Sequence, residues 1–369
     1  FCPVWCCTSV ILPISLAPLA ADESHVAPGH HDHAASDDVR RAIVADGGLL
    51  RFDKFIDITL YGEHGFYNTT GRAGRRGDFI TSPEVGPLFG AVLARALDTW
   101  WDELGRPDPF TVVDAGAGPG TLSRAILTAN PRCSSALRYV AVEVSETQRA
   151  LHPTGVESRA EMPSAAFVGV IIANELLDNL PFRLFVFDGG WREAFVETDG
   201  ERFVERLVTT SDTPQCLPPA AAHGARIAIQ DAAVHWVSSA LSLLNAGRLV
   251  VFDYCTTSVE MASRPWRQWL RTYSTHERGL HYLQSVGLQD VTVEVAIDQL
   301  PSPTVVTTQA EFLREFGIEQ LVAEGRAAWR DAATSPTVTS MMMRSRVREA
   351  ESLCDPGGLG GFSVLQWRR

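Results

Sequence analysis

Three stretches of the sequence carry residue types and spacings that can do chemistry. The first is Asp114-Ala-Gly116-Ala-Gly118-Pro-Gly120-Thr121, where three glycines alternate behind an acid. Glycines let a backbone come close to a ligand, and a helix opening after such a loop offers its N-terminus to a negative group. The second is Glu143, which closes the apolar run Tyr139-Val-Ala-Val. A carboxylate at that place can accept both ribose hydroxyls of an adenosine ligand. The third is Asn174-Glu175-Leu-Leu-Asp178, directly after the apolar run Phe167–Ala173. Carboxylates there can hold and orient a cationic group.

Such groups need elements that place them together. Phe110–Asp114, Tyr139–Glu143, Phe167–Ala173 and Arg248–Asp253 are short, nearly all-apolar runs, as buried parallel strands are. Helical patterns alternate with them, at 121–130 and 228–244, and 362–367 reads as a last strand. Together these predict a doubly wound parallel α/β sheet. Ligands bind outside the carboxyl ends of such strands, where all three stretches fall. Between the third and fourth strands the texture changes. Alternating runs flank Gly189-Gly190 and Asp199-Gly200, which are hairpin signals. Upstream, helical spacing is expected from about Asp37, with Ser36 as N-cap, over 39–50, 52–61 and 87–104. The span 305–352 reads as mostly helical.

The loop spacing discriminates between adenosine cofactors. A dinucleotide loop needs a small residue at the position that Thr121 occupies, so that helix and strand can pack closely. S-adenosylmethionine has no pyrophosphate, and the loop need only clear its methionine part. A glycine turn without a ligand is disfavoured, because the loop and Glu143 agree independently.

Composition narrows the function classes. The chain has 369 residues, 45% apolar and 21% charged, with a formal net charge of −12. That is globular composition, and the acidic balance argues against nucleic acid or an anionic membrane as partner. An acidic surface suits a cationic protein partner. Seven scattered cysteines predict a reduced, cytoplasmic protein without a zinc site. Residues 1–21 are uncharged but contain Pro3, Pro13 and Pro18 and lack a basic flank. They are expected to be a disordered or mis-assigned extension, up to residue 36. His25, His30, His31 and His33 read as linker, and no metal is expected.

Five motifs occur in one order: Gly77-Asp-Phe-Ile-Thr-Ser-Pro-Glu84, the loop 116–120, Val142-Glu143-Val-Ser145, Ala173-Asn-Glu-Leu-Leu-Asp178-Asn-Leu-Pro181 and Phe252-Asp-Tyr254. On these the sequence resembles the MidA-like S-adenosylmethionine-dependent methyltransferases, which include the mitochondrial complex I assembly methyltransferases. The resemblance runs from about Asp37 to residue 369. It implies a class I, Rossmann-like methyltransferase fold over 110–369, an N-terminal helical and lid region over 37–109, and an inserted β-hairpin substrate region. Insertions are expected at about 184–227 and 256–290. The cofactor implied is S-adenosylmethionine, held by Asp114, Gly116, Gly118, Gly120, Glu143 and Asn174. Gly77, Thr81 and Ser82 would close over it from the lid. The catalytic set is Glu175, Asp178 and Glu84, with the alternative that Asp178 caps the turn before Pro181. Two departures from the family pattern are Cys255, where relatives usually carry glycine, and Glu294 with Ala296, where many carry histidine and aspartate.

The activity implied is methylation of an arginine side chain on a protein, with a respiratory-complex subunit among the candidate partners and a homo-oligomer compatible with it. Positioning supplies much of the rate of such an in-line displacement. A guanidinium is protonated at neutral pH and a poor nucleophile, so adjacent carboxylates would have to orient it. The alternatives are a small-molecule methyltransferase, an assembly factor that keeps the fold without chemistry and, third, a dinucleotide oxidoreductase.

Overall fold

A computed structural model of the chain describes residues 31–69, 81–274 and 277–369. The motif residue Gly77, the arginines 72, 75 and 76, and residues 1–30 lie outside the described residues.

Seven strands form the central sheet: β1 (Phe110–Ala115), β2 (Leu137–Val142), β3 (Glu157–Arg159), β4 (Phe167–Asn174), β5 (Leu244–Asp253), β6 (Val305–Thr308) and β7 (Ser363–Arg368). Their order is β6-β7-β5-β4-β1-β2-β3. The pairs from β5 to β3 are parallel, and β7 runs antiparallel to both β5 and β6. The sheet is therefore mixed rather than wholly parallel. Strand β6 replaces the start of the stretch expected to be helical, and helices Gln309–Glu315, Ile318–Asp331 and Val338–Leu353 follow it.

Alternation along the strands builds the two faces. Val112 and Phe252 pack with Leu93, Leu97 and Phe312 on one side, under helix Pro87–Glu103. Val113 and Val251 pack with Ala233 and Val237 on the other, under helix Asp231–Ser242. Both faces are covered, which is why these strands read as unbroken apolar runs.

The inserted region is a second sheet of five strands, among them Arg183–Phe187, Trp191–Asp199, Arg202–Val208 and Arg226–Ile229. Its core includes Phe185, Val196 and Ile227, and helices His31–Ala45 and Phe52–Tyr61 pack on it through Val39, Phe52 and Phe55. The N-terminal segment is thus divided: its first helices join the insertion, while Pro87–Glu103 joins the central sheet. The first helix also starts at His31, before the expected Asp37, and Ser36 lies inside it rather than at its cap. Ala35, Val39 and Ile43 explain the earlier start, since their i, i+4, i+8 stripe is buried. A small sheet of Leu270–Ser274, Glu277–Arg278 and Asp290–Val293 lies in and just after the second insertion.

One distant carboxylate fixes the entry to helix Pro87–Glu103. Glu349, on helix Val338–Leu353, is buried and accepts a hydrogen bond from the Leu88 amide at 2.9 Å. It satisfies one of the donors that a helix N-terminus leaves open. A Cβ at Gly86 would stand 2.4 Å from that carboxylate, so glycine there admits the contact. No helix among the described residues is long and apolar enough to cross a membrane.

Candidate active site

A cavity of about 320 Å³ opens at the carboxyl ends of β1, β2 and β4. Its floor is the glycine loop. Gly116 and Gly118 have φ of +72° and +52°, a region costly for residues with a side chain. A Cβ on Gly118 would meet Gln148 Oε1 at 3.3 Å and one on Gly116 would meet Leu176 Cδ1 at 3.2 Å, so both positions are close fits. Gly120 also has positive φ, but it caps helix Thr121–Ala129 and does not line the cavity. Its role is the turn into the helix, not ligand contact. His152 braces the loop from outside, with Nε2 2.9 Å from the Gly118 carbonyl and Nδ1 2.8 Å from Ser158 Oγ.

Glu143 stands at one end of the cavity. Its Oε2 accepts from the Gly118 amide at 3.0 Å and its Oε1 from the Ser145 amide at 2.8 Å. Each oxygen keeps a further lone pair for a ligand hydroxyl. Asp114 lines the cavity as well, nearly buried, and accepts from the Tyr139 hydroxyl at 3.0 Å. Burial pushes its carboxyl up to about 7, against the pull of the Tyr139 hydrogen bond and with a small push from Glu143.

The other end carries Asn174 and Glu175. Glu175 holds a left-handed backbone at φ +50°, which costs a non-glycine residue roughly 1–2 kcal/mol. Its amide donates to the Phe252 carbonyl at 2.9 Å. Asp253, fully buried at the end of β5, accepts from the amides of Leu177 at 3.0 Å, Asp178 at 3.3 Å and Tyr254 at 2.9 Å, and so fixes the turn after it. Burial pushes the Glu175 carboxyl up to about 8, and Asp253 adds to the push. Hydrogen bonds from the Asn174 side chain, the Ser82 backbone and the Tyr254 hydroxyl oppose it. Asp253 itself is raised to about 7 by burial.

The short helix Ser82–Val85 lies across the cavity. Thr81 and Glu84 line it, and Glu84 Oε1 accepts from Thr121 Oγ1 at 2.6 Å, joining this helix to the one behind the glycine loop. Ser82 differs from expectation. Its hydroxyl is fully buried and donates to Gln309 Oε1 at 2.8 Å, so only its backbone addresses the site, at Glu175.

Asp178 also departs from its expected role as a substrate contact. It does not line the cavity, and it is nearly buried in the 3₁₀ turn Leu177–Asn179. Burial, with Asp253, Glu175 and Asp290 nearby, raises its carboxyl well above the usual range. Cys255 and Glu294, the departures in pattern, stand off the cavity too. Glu294 pairs with Arg264 at 2.6 Å and Arg271 at 2.7 Å.

Sequence reading missed Tyr61, Tyr67 and Asn179, which also line the cavity. The two tyrosine rings stack with centroids 5.4 Å apart and planes at 17°. Asn179 directly follows Asp178 within the motif 173–181 and could have been singled out. Tyr61 carried no signal beyond an amphipathic helix, and Tyr67 stood in a polar, glycine-rich segment.

The residues present fit S-adenosylmethionine. The loop leaves space that a Cβ would fill, Glu143 has acceptor sites to spare, and Asn174 Oδ1 is a buried acceptor with no partner among the described residues. Such an acceptor suits the α-ammonium of the methionine part.

Comparison with known proteins agrees with this chemistry. The model of an S-adenosyl-L-methionine-dependent methyltransferase family matches residues 92–315, more than half of the chain. The mitochondrial protein arginine methyltransferase NDUFAF7 homolog of Drosophila melanogaster is 28% identical over 213 residues, covering 48% of each chain. The chain thus spans about half the length of that relative. The NDUFAF7 protein of Danio rerio is 24% identical over 364 residues, 83% of this chain and 80% of its own. A Burkholderia thailandensis protein assigned to methyl transfer, crystallised with S-adenosyl-homocysteine, superposes with a TM-score of 0.80 at 26% identity over 93% of this chain and 95% of its own.

Proposed function

The chain belongs to the MidA-like family of S-adenosylmethionine-dependent methyltransferases, and from that premise we propose that it methylates an arginine side chain of a protein. The observation that carries this reading is Glu175. It is a carboxyl lining the cavity across β1 from Glu143, with a backbone held in a costly conformation and a carboxyl pushed up to about 8 by burial. An incoming guanidinium offsets the desolvation that raises it, because an opposite charge favours the ionised carboxylate.

S-adenosylmethionine, when bound, supplies an electrophilic methyl on a sulfonium. Gly116 and Gly118 let its methionine part pass close to the backbone, Glu143 accepts from its ribose, and Asn174 Oδ1 accepts from its ammonium. Glu175 pairs with the acceptor guanidinium and turns one nitrogen toward the methyl. Methylation of that nitrogen leaves one proton over, and the Glu175 carboxylate takes it. The names of the fly and zebrafish relatives support arginine as the acceptor. A cationic segment of a respiratory-complex subunit, in the cytoplasm, is the partner this reading favours, consistent with the net charge of −12.

The test is methyl transfer from tritiated S-adenosylmethionine to a host lysate, followed by acid hydrolysis and amino-acid separation. Label in methylarginine is expected. Label only in lysine, in carboxyl esters or in small molecules refutes the reading.

A further inference from the structure

The cavity that Glu175 lines is also lined by two aromatic side chains from outside the matched family span. Tyr61 closes the helix Phe52–Tyr61, and Tyr67 lies in the short helix Phe66–Thr69. Both line the same cavity as Glu175. Their hydroxyls are turned to protein partners. Tyr61 donates to the Asn179 carbonyl at 3.2 Å and Tyr67 to Asp290 Oδ1 at 3.1 Å. The Asn179 side chain donates to the same Asp290 oxygen at 3.1 Å. Asp290 is fully buried, so the arrangement is anchored from the second insertion. Burial, and secondarily the charge of Asp290, raises both phenols well above their ordinary range, and they stay neutral.

The lining that holds the Glu175 carboxylate thus also holds two fixed, stacked aromatic rings. We propose that Tyr61 and Tyr67 are specificity-determining residues that, together with Glu175, select a planar guanidinium over an ammonium as methyl acceptor. The inference rests on the arginine reading above and adds the groups that discriminate. A guanidinium is flat and weakly hydrated, can lie on an aromatic face and can engage a carboxylate through two parallel N–H groups. An ammonium is a compact, strongly hydrated charge, and it loses more on entering a cavity walled by rings. The anchored hydroxyls keep the rings in place, so discrimination costs little reordering on binding.

The experiment uses the full chain saturated with S-adenosyl-homocysteine. Two probes are titrated by calorimetry: acetyl-Gly-Arg-Gly-amide and acetyl-Gly-Lys-Gly-amide. The wild-type protein is expected to prefer the arginine peptide by about tenfold, the scale of a desolvated cation–π contact. Tyr61→Leu and Tyr67→Leu should bring the ratio below about threefold, read with each variant re-saturated at its own measured S-adenosyl-homocysteine affinity. Tyr67→Phe keeps the ring and should keep the preference. A ratio that survives both leucine variants overturns the inference and leaves the arginine reading standing. If neither peptide binds the wild type, both fall. Should the leucine variants not fold, Tyr67→Phe decides: loss of the preference there assigns discrimination to the hydroxyl and overturns the role of the rings.

Discussion

Replacing Glu143 by glutamine tests the cofactor end of the site with little change in shape. The carboxylate accepts two backbone amides, one on each oxygen, from Gly118 at 3.0 Å and Ser145 at 2.8 Å. A glutamine presents one oxygen and one NH₂, so whichever way it turns, one of those amides faces another donor. The same clash reaches the ligand, because a ribose hydroxyl that donated to a charged oxygen now meets a donor or a neutral acceptor. Hydrogen bonds to charged groups contribute about 1.5–3 kcal/mol and neutral ones about 1 kcal/mol. Losing one charged bond to the ribose and weakening the other therefore costs about 2–4 kcal/mol. That corresponds to roughly 30- to 700-fold weaker binding. Calorimetric titration of Glu143→Gln with S-adenosyl-homocysteine measures it, with circular dichroism to establish that the variant is folded. A folded variant whose affinity falls less than about threefold would refute the assignment of Glu143 to the ribose.

Gly118→Val places a branched side chain at φ +52° and 3.3 Å from Gln148 Oε1, so S-adenosyl-homocysteine binding should be lost and stability should fall by about 1–2 kcal/mol or more in urea titration. Retained affinity would show that the loop does not face the ligand. Asp253→Ala leaves the amides of Leu177, Asp178 and Tyr254 without their acceptor, and chemical denaturation should show a loss of about 3 kcal/mol or more. A loss under about 1 kcal/mol would mean that this carboxylate does not hold the turn. Glu175 at about 8, and Asp114 and Asp253 at about 7, are all raised by burial above their ordinary values of 4.5 and 3.8. The folded state then holds protons that the unfolded state has released. Their stabilising contribution is complete below about pH 4 and is lost as pH rises toward 8. The thermal midpoint at pH 5.5 should exceed that at pH 8.5, and the reverse order would contradict the burial of these groups. In kcat/KM for methyl transfer the ionised Glu175 is required, so the rate should rise through about pH 8 and Glu175→Gln should abolish that inflection.

The parts of this protein that show in its sequence are those governed by local pattern. β1 is legible because burial on both faces demands an unbroken apolar run, and the glycine loop because positive φ demands glycine. The hairpins around Gly189-Gly190 and Asp199-Gly200 show for the same reason, with positive φ at Gly189 and Gly200. What stayed hidden depends on distant partners. β6 pairs with β7 about sixty residues later, in the register Val305↔Gln366; its four β-branched residues favour a strand, but so short a run ahead of helical spacing does not declare one. The turned-away hydroxyl of Ser82 is set by Gln309. The raised proton affinity of Asp178 is set by burial beside Asp253, Glu175 and Asp290, which come from other elements or from before the turn. Tyr61 read as one more apolar position on an amphipathic helix, because sequence spacing gives the face of a helix and not what lies against it.

Modularity is where the Glu349 contact has its largest consequence. The segment that matches the family model, 92–315, contains the glycine loop, Glu143 and Glu175. It lacks Thr81 and Glu84, which line the cavity from the helix lying across it, the Leu88 amide, and the carboxylate on residue 349 that receives that amide. It also lacks β7, the strand that joins β5 to β6. An excised 92–315 fragment would carry four of the five motifs and lack cavity walls that the whole chain supplies. The catalytic unit of this protein is therefore larger than its sequence signature, and domain-swapped chimeras should be cut outside residues 61 and 368 to keep the site whole.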